Sequence, residues 1–391
     1  MLVQQQPSLT WLQRERAWVE IDLAALRHNV RHLKTWVGDR VELLAVVKAD
    51  AYGHGAATIA RSALAAGARW LAVATIEEGG QLREANIDAP ILVLGAAHTA
   101  DQIKALLHWK LQPTLCTLQQ SFTFAEVLKS LGRSLPVHLN IDTGMARLGT
   151  RWTEAADWAQ WVAQAPPLRL ASLYSHFATA DEPDPTVMRL QYQRFQGFLQ
   201  DFSDRARSSG LALPKIHMAN SAALLADQAY HFDRVRAGLA LYGLAPAPHL
   251  AGILPLRPVM SIRARITQLK TIEPGEGVSY GHRYVAQRPT RVAVVGIGYA
   301  DGVPRNLSNQ MQVLIRGRSV SQIGSITMDQ LMLDVTDFPG DLMPGEVVTL
   351  LGEDAGQQIR AEDWADRLGT ISWEILCGFK HRLPRITVND E

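Results

Sequence analysis

A lysine, a tyrosine and a histidine follow an apolar run closely near the N-terminus. The run LLAVVKA covers residues 43 to 49, and VVKADAYGHG carries Lys48, Tyr52 and His54. An amine with apolar surroundings loses hydration, which lowers its pKa and lets it form a Schiff base with a carbonyl compound. A lysine can equally extend its ammonium group into water along its own apolar stem. The local sequence alone favours that second interpretation.

Two further polar residues open a segment of helical character. Asn220 and Ser221 come at the end of the apolar run KIHMANS. Free backbone N–H groups and the positive end of a helix dipole favour a bound phosphate. The same residue types form ordinary N-caps. The local sequence favours the cap, and a phosphate role needs a further argument.

Eight short apolar runs alternate with amphipathic stretches between residues 40 and 245. The runs cover residues 43–49, 70–75, 91–95, 112–116, 136–142, 171–177, 215–221 and 235–243. This alternation predicts βα units around a buried parallel sheet. Eight strands fit a closed (β/α)8 TIM-like barrel, whose catalytic groups lie at the C-terminal strand ends. An open doubly wound sheet is the alternative, but no GxGxxG follows the first strand.

The pattern of apolar and turn residues changes after Pro246. A Pro-rich connection leads into short alternating segments separated by turn residues, as in a compact β domain. We therefore predict an α/β plus β protein, with a barrel over residues 1–250 and a mainly-β domain over 251–391. One run, WVEIDL at 18–23, is surplus to the eight and could pair with the second domain.

Composition restricts the class of partner. The 391 residues are 47% hydrophobic and carry a net charge of +1, so no strong field attracts nucleic acid or an anionic membrane. The two cysteines, Cys116 and Cys377, form neither a disulfide framework nor a zinc motif, and we predict no metal site. The N-terminus lacks an apolar signal region. These features favour a cytoplasmic protein that acts on a small molecule.

The segment AVVKADAYGHG resembles the cofactor-lysine motif of alanine racemases. Similar signatures follow in order along nearly the whole chain: NIDTGMARLG at 140–149, SHFATAD at 175–181, HMANSA at 217–222, VRAGLALYG at 235–243, GEGVSYGHRY at 275–284, GIGYADGVPR at 296–305 and GSITMDQ at 324–330. The resemblance implies a barrel and a β domain that bind pyridoxal phosphate. It also implies a homodimer with shared active sites that interconverts L- and D-alanine, supplying D-alanine for peptidoglycan.

The resemblance assigns roles residue by residue. Racemisation needs a group on each face of the α-carbon, and Lys48 and the partner subunit's Tyr280 are the implied pair. The implied cofactor-binding residues are Lys48, Tyr52, Arg147, His176, Asn220, Ser221, Arg236 and Gly238. The implied substrate-binding residues are Arg147, Met328 and Asp329.

Arg236 is the implied partner of the pyridine nitrogen, with His217 as its supporting neighbour. An arginine donates a hydrogen bond without giving up its proton, which limits how far the ring acts as an electron sink. A carboxylate at that place would do the reverse. Without the resemblance, Arg236 could form an ion pair at the barrel rim.

Three positions depart from the commonest family pattern. Asn140 stands where many members carry a carbamylated lysine, so a small anion such as chloride could supply the missing charge beside Arg147. Trp373 replaces a tyrosine that contacts the phosphate. Ser325 replaces an arginine assigned to the substrate entrance. These departures affect affinity, salt dependence and substrate range.

Three alternative functions are compatible with parts of this pattern. A racemase of broader specificity would also accept serine. A basic amino-acid decarboxylase shares the barrel and the cofactor, but it would benefit from an acidic partner at the ring nitrogen rather than Arg236. A non-catalytic carrier of pyridoxal phosphate would be a barrel alone. Exchange of the α-proton of alanine in heavy water separates a racemase from a carrier.

Overall fold

The computed structural model describes residues 14–379 and 381–390, which form two units. The barrel unit comprises Ala25–Ala51 and Gly55–Arg257. The mainly-β unit comprises the described residues up to Ala24, the segment Tyr52–His54 and the described residues from Pro258 onward. The first strand, β1 (Ala17–Asp22), belongs to the mainly-β unit.

Eight parallel strands close into a barrel, with a short ninth strand at one side. The strands are β2 (Glu42–Val46), β3 (Trp70–Val73), β4 (Ile91–Ala96), β5 (Gln112–Leu115), β6 (Leu135–Asp142), β7 (Thr150–Arg151), β8 (Leu168–Tyr174), β9 (Lys215–His217) and β10 (Arg234–Ala237). Their order is β5-β4-β3-β2-β10-β9-β8-β6, with β7 beside β6, and the pairing of β5 with β6 closes the ring. The predicted closed barrel is confirmed.

The barrel strands are covered on both faces, which favours apolar residues such as those of β3, all four of which are buried. All four residues of β10 are buried as well, although two of them, Arg234 and Arg236, are charged. Two strands, β9 and β10, are less than half as long as the apolar runs predicted. β9 ends at His217 because Asn220 caps a helix, and β10 ends at Ala237 because Leu239–Tyr242 forms a 3₁₀ turn.

The helices of the barrel unit begin with recurring N-cap chemistry. They span Leu23–Val37, Ala56–Ala66, Ile76–Glu84, Ala100–His108, Leu118–Ser130, Ala155–Gln164, Thr186–Ser208 and Ser221–Ala226. Thr75, Thr99 and Thr117 cap three successive helices, and each accepts a hydrogen bond from the backbone N–H three residues later. Such caps satisfy N–H groups that a helix leaves without internal partners.

The mainly-β unit is built on one nine-stranded sheet, part of which closes into a ring. Its further strands are β11 (Met260–Ile272), β12 (Thr290–Val295), β13 (Gln312–Ile315), β14 (Arg318–Ile323), β15 (Leu331–Asp334), β16 (Val347–Asp354), β17 (Gln357–Ile359) and β18 (Arg385–Val388), and two helices span Ala361–Leu368 and Ser372–Gly378. The strand order is β17-β16-β13-β14-β15-β12-β11-β1-β18. β1 thus lies between β11 and β18, antiparallel to the first and parallel to the second. Within the described ranges, no helix is long and apolar enough to cross a membrane.

Candidate active site

Lys48 lies just beyond the C-terminal end of β2, where the backbone turns left-handed. Val47 still donates to the carbonyl of Ala72 at 2.8 Å. The next residues, Ala49 to Tyr52, all have φ between 51° and 54°. Each non-glycine residue in this region costs about 1–2 kcal/mol, so a run of four is a strained backbone. Lys48 itself is half-buried, and its ammonium group bonds to no side chain or carbonyl of residues 14–379 or 381–390.

Tyr52 ends this left-handed turn and belongs to the mainly-β unit. Burial, with a smaller contribution from Cys377, raises the pKa of Tyr52 to about 12. The hydroxyl therefore keeps its proton at neutral pH and can act as a hydrogen-bond donor.

Arg236 is buried in the barrel and bonded to neutral groups. Its Nη1 donates to His217 Nδ1 at 2.7 Å. Its Nη2 lies 2.8 Å from the Ser175 carbonyl, 2.9 Å from the Met218 carbonyl and 3.0 Å from His176 Nδ1. Burial lowers the pKa of Arg236 to about 10, which still leaves it charged at neutral pH. It has no carboxylate partner among the residues described.

A chain of buried hydrogen bonds extends from Arg236 across the barrel interior. His217 Nε2 lies 3.0 Å from Ser172 Oγ, and Ser172 Oγ lies 2.6 Å from His138 Nδ1. His138 Nε2 then lies 3.0 Å from Gln112 Oε1. Because an arginine only donates, His217 must accept at Nδ1 and carry its proton on Nε2. The direction of every later bond follows, with Ser172 donating to His138 and His138 donating to Gln112.

These histidines are neutral in the folded protein. Burial lowers the pKa of His138 to about 3, with a smaller contribution from the charge of Arg234. Burial and the charge of Arg236 hold the pKa of His217 well below its ordinary value. The pKa of His176 is lowered by desolvation and by the charges of Arg236, Arg147 and Lys48. Three cations therefore act on His176 from different elements of the barrel.

Arg147 lines a cleft beside this network. The cleft is open to solvent, and its lining includes Asn140, Arg147, Ser175 and His176. Asn140 is buried and carries no charge. No hydrogen bond joins Asn140 to Arg147, and the guanidinium of Arg147 has no ion-pair partner in the described ranges. The sequence predicted that Asn140 brings no charge to Arg147, and the structure adds that the two side chains do not bond to each other.

Asn220 and Ser221 form a compact turn with Gly238. The side-chain oxygen of Asn220 accepts from the N–H of Ala223 at 3.0 Å, so Asn220 is the N-cap that the local sequence favoured. Ser221 Oγ accepts from the N–H of Gly238 at 2.9 Å and from that of Ala240 at 3.3 Å. Both acceptor positions of the hydroxyl are thereby used, which leaves its own proton as a donor for a ligand.

Tyr280 and Met328 are exposed in the mainly-β unit, with 74% and 52% of their surface accessible. The backbone that carries Tyr280 is nevertheless fixed. Buried Ser325 donates to the Tyr280 carbonyl at 2.8 Å, and Ser279 donates to the Ser325 carbonyl at 2.8 Å. Ser325 therefore holds the Tyr280 segment, a contact that the sequence did not reveal.

The loop that carries Met328 and Asp329 is held from two sides. Arg382 Nη2 pairs with Asp329 Oδ1 at 2.5 Å. The backbone of this loop passes so close to Gly298 that a side chain there would overlap the Thr327 and Met328 carbonyl oxygens. The loop conformation thus depends on a glycine and an ion pair.

Several residues in this arrangement were not identified from the sequence. They are Gln112, His138, Ser172 and Tyr174, whose ring stacks on His217 at 4.7 Å and lies under the Arg236 guanidinium. Polar side chains inside otherwise buried strands were the available signal, because such groups require partners. The partners come from other strands, so the sequence alone could not assign them.

The fold defines a two-domain barrel enzyme, whose barrel carries Lys48, Arg147 and Arg236 without carboxylate partners among the described residues. One family model, described as the N-terminal domain of alanine racemase, matches residues 21–246, and the model of the C-terminal domain matches residues 259–387. Together they cover most of the chain.

Curated relatives are similar to this chain in sequence over nearly its full length. An alanine racemase of Synechocystis sp. is 58% identical over 375 residues, covering 96% of this chain and all of the relative. One of Nostoc sp. is 56% identical, covering 98% of this chain and 99% of the relative.

Solved structures have the same fold. The alanine racemase of Clostridium difficile 630 superposes with a TM-score of 0.90 at 34% identity, covering 96% of this chain and 97% of that one. The Bacillus anthracis enzyme with bound L-Ala-P gives 0.88 at 36% identity, covering 96% and 95%. The chain belongs to the alanine racemase family, a family of isomerases.

Proposed function

We propose that this chain interconverts L- and D-alanine with pyridoxal phosphate, with Lys48 acting on one face of the α-carbon and the partner subunit's Tyr280 on the other. The observation that carries this proposal is the group of three cations around His176, namely Lys48, Arg147 and Arg236. None of them has a carboxylate partner within the described ranges. Such a field favours an anionic ligand, and the D-alanine produced would serve peptidoglycan synthesis.

The residues fit pyridoxal phosphate in charge and in hydrogen bonding. The Lys48 amine bonds to no described group and would hold the aldehyde carbon once its ammonium form has lost a proton. Ser221 has a hydroxyl proton to donate to the phosphate. Asn220, Gly238 and Tyr52 complete the proposed phosphate contacts, and His176 packs on the ring. When bound, the cofactor supplies an electron-withdrawing ring that eases loss of the α-proton.

Arg236 limits the chemistry to proton transfer. It remains charged at neutral pH, and no described residue accepts a hydrogen bond from its Nε–H. It can therefore donate to the ring nitrogen without protonating it. The neutral histidines and Ser172 behind it hold the guanidinium in place and offer it no negative charge. This arrangement disfavours decarboxylation, which benefits from a protonated ring.

The exposed Tyr280 supports a homodimer with shared sites. A catalytic base normally lies in a desolvated pocket within hydrogen-bond reach of its proton, and in one chain Tyr280 is largely in water. A second copy would cover Tyr280 and Met328, and Arg147, Met328 and Asp329 would together bind the substrate carboxylate.

A substrate panel tests the proposal. Purified protein supplied with pyridoxal phosphate is incubated with single enantiomers of alanine, serine, lysine and ornithine, and the products are resolved by chiral chromatography. We expect racemised alanine with exchange of its α-proton in heavy water. Loss of carbon dioxide from lysine or ornithine would indicate a decarboxylase, and cofactor absorbance without α-proton exchange would indicate a carrier. Serine turnover measures the substrate range.

A further inference from the structure

The carboxylate of Glu78 links the left-handed turn after Lys48 to the next βα turn of the barrel. Its Oε1 accepts from the N–H of Ala49 at 2.7 Å. Its Oε2 accepts from the N–H of Ala74 at 2.7 Å and from that of Thr75 at 3.2 Å. One side chain therefore joins two strand ends through three backbone donors.

The next two βα turns use glutamine at the same helical position. Gln102 and Gln120 each follow a capping threonine by three residues, as Glu78 does. Gln120 accepts from the N–H of Cys116 at 2.7 Å and donates to the carbonyl of Ala97 at 2.7 Å. This side chain also reaches back to the preceding strand end, but there it meets a carbonyl.

The difference between Glu78 and Gln120 follows from the backbone that each side chain meets. In the left-handed turn after Lys48, Glu78 meets an N–H donor, that of Ala49. At the corresponding place, Gln120 meets a carbonyl acceptor, that of Ala97. A side chain that faces donors on both sides needs two acceptor oxygens, and only a carboxylate has them. Glutamine would turn its NH₂ group toward one of these donors.

The bond to Ala49 acts on Lys48 directly, because the Ala49 nitrogen and the Lys48 carbonyl belong to one planar peptide unit. Fixing that plane fixes the backbone from which the lysine side chain leaves. We infer that Glu78 is a positioning residue for Lys48, holding the strained turn so that the amine meets its ligand in one orientation; this role in catalysis rests on the proposed function. Without this bond, the turn can relax toward ordinary backbone angles.

Hydrogen exchange of the wild-type protein, free of cofactor, gives the first test. With fragmentation that resolves single amides, the N–H of Ala49 should exchange at least tenfold more slowly than the N–H of Asp50. The backbone N–H of Asp50 donates to no described group. This comparison needs no variant to fold. Equal exchange rates at Ala49 and Asp50 would overturn the inference.

The second test compares Glu78→Gln with two control variants. Glu77→Gln makes the same charge change in the same helical turn, at an exposed side chain without a described partner. Thr75→Ala removes the other half of the capping box, whose Oγ1 accepts from the N–H of Glu78 at 3.2 Å, but it does not touch Ala49. The first control isolates charge, and the second isolates helix capping.

We expect Glu78→Gln to speed exchange at Ala49 at least tenfold, as loss of a charge-assisted hydrogen bond implies. Its kcat for alanine should fall about 10- to 100-fold because the amine is misplaced, with a smaller change in KM and a shifted absorption band of the bound cofactor. Glu77→Gln should match wild type within about twofold, and Thr75→Ala should lower Tm but retain kcat.

Two outcomes contradict the role. Equal kcat losses in Glu78→Gln and Thr75→Ala would mean that Glu78 acts only by capping its helix. A wild-type kcat in Glu78→Gln would mean that Glu78 does not position Lys48. Failure of the proposed function can be told apart from failure of this inference. If the wild-type protein is folded but inactive and Glu78→Gln still speeds exchange at Ala49, then Glu78 holds the turn but the protein is not a racemase.

Discussion

The two regions that carry the proposed bases differ in how completely one chain surrounds them. Within the barrel unit, Glu78 bonds to the backbone that follows Lys48, and buried His217 and Ser172 form a separate chain of hydrogen bonds from Arg236. Around Tyr280, the backbone is fixed by Ser325, but 74% of the residue's surface faces solvent. The barrel half of the proposed site is therefore built within one chain, whereas its second half has a hydrogen-bonded backbone and, at Tyr280, an exposed side chain that bonds to no described residue. Under the proposed function, a second subunit would complete this second half.

The largest expected effect comes from a substitution in the barrel half of the proposed site. Lys48→Ala should lower racemisation at least about 10³-fold, because no other strand-end lysine matches the cofactor-binding motif. Borohydride reduction followed by mass spectrometry should then find no cofactor adduct. Lys104→Ala, at an exposed lysine paired with Asp101, is the matched control and should retain both adduct and activity. An adduct of wild-type yield in Lys48→Ala would refute the assignment of Lys48.

The next effect tests whether the two halves come from different chains. Homodimers of Lys48→Ala and of Tyr280→Phe should each have two damaged sites. In a heterodimer of the two variants, one site receives both mutations and the other receives neither. Activity should therefore return to about half the wild-type value per heterodimer, provided that the sites act independently.

Co-expression with two affinity tags yields the mixed species for a racemisation assay. Tyr192→Phe, at a tyrosine of the outer helix Thr186–Ser208, replaces Tyr280→Phe in a control and should be active as a homodimer. If a heterodimer of verified composition shows only homodimer-level activity, both bases come from the same chain.

Acid stability sharpens the contrast between the buried network and the exposed region. His138 titrates near pH 3 when folded and near 6.5 when unfolded, so the unfolded chain binds more protons between these values. Stability must therefore fall as the pH drops through this window, with His138 contributing at most about 1.4 kcal/mol per pH unit. Urea unfolding at pH 7, 6 and 5 measures the slope.

The variant His138→Gln should show a shallower dependence of unfolding free energy on pH, even though its stability at pH 7 is lower. His98→Gln is the control, since His98 is an exposed residue, and its slope should match wild type. A slope in His138→Gln as steep as in wild type would mean that His138 is charged in the folded protein.

The sequence predicted the barrel because strand length and apolar runs are local properties. It could not give the ends of β9 and β10, because apolar residues continue into a capped helix and a 3₁₀ turn. The sequence also did not predict the left-handed run from Ala49 to Tyr52, because alanine and tyrosine disfavour that conformation. Glu78, in the helix that follows β3, bonds to this run from a distant part of the chain. The chain from Arg236 to Gln112 joins residues more than 100 positions apart, which no local pattern encodes.

The smallest expected effect concerns the cleft around Arg147. Its guanidinium has no described ion-pair partner, and Asn140 brings no charge to the lining of that cleft. A small anion can supply the charge, and a partly exposed pair of this kind contributes about 0.2–1 kcal/mol. Replacing gluconate with chloride at constant ionic strength should therefore raise kcat/KM by up to about fivefold. Asn140→Asp would build the negative charge into the chain and should remove the chloride dependence. The control variant is Gln119→Glu, at an exposed residue of the helix Leu118–Ser130, and it should leave the chloride dependence unchanged. Identical kinetics in the two salts for the wild-type protein would mean that Arg147 needs no anion other than the cofactor and substrate.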